Sequence, residues 1–95
     1  MNTKIQLTHP AGKKAVTMEA GKYSIMTKAI LGQLEKGEST HSEMLHAVTD
    51  DFATNGTKFP GSIEWHMEWV KLDLEAKKQI RRMDSSPARF NLVRA

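Results

Sequence analysis

Residues 62–80, SIEWHMEWVKLDLEAKKQI, decide the fold. At about 100° per residue, Ile63, Met67, Val70 and Leu74 fall on one line of a helix, and Trp65, Trp69, Leu72 and Ala76 fall on a line nearly opposite. Most surface helices bury a single apolar stripe. A helix with two needs cover on both sides, from its own domain or from a second chain. The aliphatic stripe has the i, i+4, i+7, i+11 spacing that suits packing against other helices. It is expected to face the core, while the tryptophan stripe is left to be closed by another element of the chain or by a second subunit. Ser62 is placed to cap this helix and Glu64 lies favourably in its first turn.

Upstream of that helix, Lys4–His9 (KIQLTH) and Lys14–Met18 (KAVTM) alternate apolar and polar residues, with Ile5, Leu7, Val16 and Met18 on the inward side. Pro10-Ala11-Gly12 between them is a turn signal, so the N-terminus reads as a β-hairpin. Tyr23, Met26, Ile30 and Leu34 then recur at helical spacing up to Gly37, which predicts a first helix over 20–36. Thr40-His41-Ser42-Glu43 is a capping box that opens a second helix. Leu45, Val48 and Phe52 form its apolar stripe, and Asn55-Gly56 ends it. Residues 54–61, TNGTKFPG, form the loop into the third helix.

Downstream, Ile80 and Met83 stand on one side of Asp84-Ser85-Ser86-Pro87, and Phe90 and Leu92 on the other, which predicts a second hairpin. The expected architecture is one α+β domain over 1–95, ordered ββ-α-α-α-ββ. Three helices followed by a hairpin is the layout of a winged helix, with the third helix as reading helix and the last hairpin as wing.

Tyr23-Ser24-Ile25-Met26 followed by Ala29-Ile30-Leu31, and Trp65 followed by Val70-Lys71-Leu72-Asp73-Leu74-Glu75-Ala76-Lys77, carry a resemblance that spans most of the chain. In these segments the chain resembles a family of small uncharacterised bacterial proteins that are similar to winged-helix domains in organisation. The resemblance implies a fold. It brings no activity and no catalytic residues.

At 95 residues the chain suits one domain that buries roughly 60 to 70 per cent of its unfolded surface. With no cysteine, disulfides and thiolate metal sites are excluded. The apolar runs are too short for a membrane span or a signal peptide, so a soluble, cytoplasmic protein is expected. The net charge of +3 is unevenly spread: residues 1–61 sum to +1, residues 62–78 to −1 and residues 79–95 to +3.

That C-terminal excess raises nucleic-acid binding. Arg81, Arg82, Arg89 and Arg94 in the second hairpin are candidate phosphate contacts, with Lys13 and Lys14 of the first hairpin as further cations. The third helix argues the other way. Its polar sector of Glu64, Glu68, Lys71, Glu75 and Lys78 would present two carboxylates to a polyanion where the helix enters a groove. The alternative starts from Trp65, Trp69 and Leu72: two indoles on one stripe make an adhesive patch wherever they stay exposed. The reading favoured is a non-catalytic interaction module that forms a homodimer through helix 62–80, with a nucleic-acid-binding regulator as the alternative. The arginines discriminate. Alignment of Arg81, Arg82 and Arg89 on one face with exposed Lys71 and Lys78 would favour DNA, whereas scatter or pairing with acids would favour protein interaction.

No enzyme, cofactor or metal is expected. His41 and His46 are five residues apart and face different directions, so they make no i, i+4 metal pair. Glu43-x-x-His46 is half of a dimetal carboxylate motif whose second half is missing. His66 lies between the two stripes and reads as a partly buried, hydrogen-bonded residue. Neither a phosphate-cradling loop nor a nucleophile elbow occurs.

Overall fold

A computed structural model describes residues 3–93. The three helices follow from their stripes and caps. Helix α1 spans Ala20–Glu35 and buries Met26, Ile30 and Leu34. Helix α2, His41–Thr54, buries Met44, Val48 and Phe52. Its capping box is formed as the sequence predicts: the Glu43 N–H donates to Thr40 Oγ1 at 3.2 Å, and the Thr40 N–H donates to Glu43 Oε1 at 2.9 Å. Helix α3, Ile63–Ala76, is capped by the Ser62 hydroxyl, which accepts from the Trp65 N–H at 3.0 Å. Its aliphatic stripe faces the core, with Met67, Val70 and Leu74 buried and Ile63 packed at the margin.

The α3 helix ends four residues before the end of the stretch that announced it. The Lys78 N–H donates to the Glu75 carbonyl at 3.0 Å and the Gln79 N–H to the Leu74 carbonyl at 2.9 Å. Lys78 sits in the left-handed region at φ 63°. This is the Schellman arrangement that closes a helix and usually places glycine at the left-handed position. Ile80 then begins a strand.

The strands form two sheets. In the first, β1 (Lys4–Gln6) pairs antiparallel with β2 (Thr17–Glu19), Ile5 opposite Met18. These strands are shorter than predicted because the chain leaves the ladder after the Leu7 N–H donates to the Val16 carbonyl at 3.0 Å. From there His9 organises the loop. Its carbonyl accepts from the Gly12 N–H at 2.9 Å and its Nδ1 accepts from the Ala11 N–H at 3.0 Å.

The second sheet has strand order β3-β5-β4. Strands β4 (Ile80–Met83) and β5 (Arg89–Leu92) make the expected C-terminal hairpin. The two-residue strand β3 (Ser39–Thr40) joins the far side of β5, Ser39 opposite Phe90 and Thr40 opposite Arg89. Sequence reasoning missed β3, since a pair of residues shows no alternation to read. Thr40 therefore pairs through its backbone and caps α2 through its hydroxyl. The observed order is ββ-α-β-α-α-ββ, the predicted α+β layout with one short strand added.

One apolar cluster joins the elements. Met26, Ile30, Met44, Met67, Leu74 and Phe90 lie at its centre, and Leu7 and Met18 of the N-terminal hairpin complete it. None of the helices among the described residues is long and apolar enough to cross a membrane.

Candidate functional site

Three groups of side chains around α3 carry the chemistry. The first is built on Asp73, which is fully buried. Its Oδ1 accepts from the Thr8 N–H at 2.9 Å, and its Oδ2 accepts from the Tyr23 hydroxyl and from Lys77 Nζ, the latter at 2.8 Å. The Lys77 ammonium also donates to the Tyr23 oxygen at 3.0 Å. Hydrogen bonding to Asp73, and then to Tyr23, holds the Lys77 pKa above the usual lysine value. Burial, reinforced by the bond to Asp73, raises the Tyr23 phenol. The carboxylate thus ties the N-terminal hairpin and α1 to α3.

The second group surrounds Lys71, which the sequence places in the polar sector and the structure buries to 2% exposure. Sequence reasoning fails here because two of the three groups around its ammonium, His41 and Phe90, come from other elements. Nζ lies 2.8 Å from His41 Nδ1 on α2, 3.4 Å from Glu68 Oε2 and 4.3 Å from the centroid of the Phe90 ring. Burial lowers the Lys71 pKa, and attraction to Glu68 opposes that shift. His41 Nε2 meets Glu64 Oε2 at 3.3 Å. With Nδ1 accepting from the ammonium, Nε2 is the nitrogen that carries the hydrogen. A cavity of about 370 Å³ opens beside this cluster, between the start of α2, Arg82 and the Pro87–Ala88 turn.

The arginines are divided. Partners across a ladder share a face and neighbours along a strand alternate. Arg82, opposite Phe90, therefore lies on the sheet face of Ile80, while Arg81 and Arg89 lie on the other face. Arg82 approaches Glu75 at 3.6 Å and covers the Phe90 ring at 5.0 Å. Arg89 approaches Glu43 at 3.6 Å and Glu38 at 3.9 Å. Arg81 has no acidic partner among the described residues, and Arg94 lies outside them. The structure thus does not align the basic hairpin with an exposed Lys71.

The third group is aromatic. Trp69 is half-buried against the core and meets His9 edge-on at 6.4 Å, so the loop of the N-terminal hairpin covers part of the second stripe. Leu72 is also half-buried. Trp65 remains 44% exposed, 6.5 Å from Trp69 between centroids. His66 is hydrogen-bonded as expected and buried more fully than the partial burial its position between the stripes predicts. Its Nδ1 contacts the Ser62 carbonyl at 2.7 Å and its ring stands edge-on to Phe59 and Trp65. His46 faces solvent, 3.2 Å from Asp50. Among the described residues no group of three or more His, Cys, Asp or Glu side chains is arranged to hold a metal ion.

The chain belongs to a family of unknown function, DUF6958, whose model matches residues 4–90. No curated protein and no solved structure matches it.

Proposed function

We propose that this protein is a small non-catalytic interaction module of winged-helix-like organisation that self-associates through α3. The observation that carries this reading is Trp65, a large apolar side chain left 44% exposed on a helix whose opposite face is fully engaged in the core. An isologous contact uses the same surface on both copies. In an antiparallel two-fold pairing of α3, one register sets Trp65 against Ala76 of the second copy and Trp69 against Leu72. The bulky end of each stripe meets the small end of the other, and Glu64 falls beside Lys77 of the second copy. With Trp65 44% exposed, covering it removes somewhat under half of the roughly 150 to 250 Å² that a wholly covered aromatic side chain buries.

The basic hairpin supports the nucleic-acid alternative less well. Arg82 and Arg89 already face Glu75, Glu43 and Glu38, and Glu64 and Glu68 stand where a reading helix would meet phosphates. Sedimentation equilibrium at micromolar concentration tests the proposal. A dimer is expected for the wild type and a folded monomer for Trp65→Ala, less stable by the free energy of association that it loses. A wild-type monomer would overturn it. Salt-dependent binding to random duplex DNA that weakens in the Arg81→Ala, Arg82→Ala, Arg89→Ala triple variant would replace it.

A further inference from the structure

Strand β4 is the outermost strand of its sheet, and the pairing fixes which of its backbone groups are free. The Val93 N–H donates to the Gln79 carbonyl at 3.0 Å, which makes Gln79 and Val93 a hydrogen-bonded pair. Such pairs alternate along an antiparallel ladder. Arg81 with Asn91 and Met83 with Arg89 are therefore bonded pairs as well. Ile80 and Arg82 turn their N–H and C=O groups away from β5, toward a side on which no strand lies among the described residues.

Beside this edge runs a shallow groove of about 370 Å³, lined by Glu75, Lys78, Ile80, Arg81, Arg82 and Val93. Val93 is 48% exposed there. Its charge is predominantly positive. Glu75 is matched by Arg82, while Lys78 and Arg81 have no acidic partner among the described residues.

We propose that the free edge of β4 takes up an extended acidic peptide segment of another protein as an added strand. Backbone groups of Ile80 and Arg82 supply the ladder, and alternate acidic side chains of the peptide meet Lys78 and Arg81. A second copy of the chain does not fit this edge. Antiparallel pairing of β4 with itself, centred on either arginine, would set Arg81 or Arg82 directly against its own counterpart, and like charges directly opposite are destabilising. Nucleic acid would satisfy the cations but not the free backbone groups. The edge is distinct from the exposed indole on α3, so the two proposals fail independently.

Residue-resolved amide hydrogen exchange tests the site, using a blocked peptide of about seven alternating Val and Glu residues and a Val/Lys counterpart as control. In the free protein the Ile80 and Arg82 amides exchange fast. With the Val/Glu peptide near saturation they slow by about tenfold or more, while Arg81 and Met83, already in the ladder, change little. The control peptide leaves all four unchanged. In a Lys78→Glu, Arg81→Glu variant the preference passes to the Val/Lys peptide, and continued protection of the residue 81 and Met83 amides reports that the hairpin is intact. Unchanged exchange at Ile80 and Arg82, equal protection by both peptides, or the same protection from a duplex oligonucleotide would each overturn the proposal.

Discussion

Helix α3 buries two charges of opposite sign, Lys71 and Asp73, two residues apart and so about 200° apart around its axis, and their surroundings differ in kind. Asp73 is enclosed by three donors drawn from three parts of the chain, Thr8, Tyr23 and Lys77. Lys71 is held by one imidazole, one half-exposed carboxylate and the face of Phe90, beside a cavity. A buried charge is tolerated when its hydrogen-bonding capacity is met. Asp73 meets that condition on both oxygens, with donors from three parts of the chain, two of which, Tyr23 and Lys77, also bond each other. The partners of Lys71 are half open to water and would rehydrate without it. The first charge therefore stitches the fold together, and the second is a local accommodation.

Asp73→Ala is the severest way to break this contrast. It removes the acceptor shared by a backbone N–H, a phenol and an ammonium; Lys77, 42% exposed, rehydrates, and the donors left without an acceptor make the loss about 2 to 3 kcal/mol. Urea denaturation of the variant measures it. A loss under about 1 kcal/mol would show that the N-terminal hairpin is held by Leu7 and Met18 alone.

A smaller effect tests the start of α2, which presents His41 to Lys71. Thr40→Ala removes the hydroxyl that accepts from Glu43 and should cost about 1 kcal/mol. Thr3→Ala, near the terminus, should cost almost nothing. Equal losses for the two would place the cap outside the stability of the fold. The Glu43 pKa lies below the ordinary glutamate value, chiefly because its carboxylate accepts from the Thr40 N–H. Its contribution is therefore present above the unfolded pKa and fades as pH falls through the folded one.

The three helices, the N-caps of α2 and α3 and both hairpins were legible in the sequence because each rests on local periodicity or on residues within one turn of each other. The capping box is the clearest case: Thr40 and Glu43 identify each other. The end of α3 was not legible, because it is closed by Lys78 where a glycine would have marked the left-handed position. Lys78→Gly relieves that conformation, partly offset by the greater backbone freedom of glycine when unfolded, for a net gain of about 0.5 kcal/mol. A loss on chemical denaturation would mean that the lysine side chain stabilises the turn. The two buried charges were illegible for another reason. Lysine and aspartate on a helix read as solvent-facing, and only partners distant in sequence, Thr8 and Tyr23 for Asp73, His41 and Phe90 for Lys71, reverse that expectation. Of the candidate residues, exposure of Trp65 followed from the second stripe, whereas the division of the arginines depended on a register that composition does not encode.

A change in stability near zero at neutral pH is expected from Lys71→Met, and it sharpens the comparison through pH. Methionine keeps the length and flexibility of the stem and removes the burial of charge, while His41 and Glu68 remain partly open to water. The net effect should lie within about 1 kcal/mol of zero, well short of the loss for Asp73→Ala. The two clusters then differ in the sign of their proton linkage. A lysine whose folded pKa is depressed binds fewer protons in the native state than in the unfolded chain, so stability rises as pH climbs through the folded pKa toward the ordinary lysine value of 10.5. Tyr23 and Lys77 have raised folded values, so their contribution is complete below 10.0 and 10.5 and is lost as pH rises beyond them. Urea midpoints measured from neutrality to about pH 10 should therefore increase in the wild type and stay flat in Lys71→Met, and both proteins should weaken at still higher pH. A variant that retained the rise would assign it to another group and would leave Lys71 charged and stably solvated in the folded state.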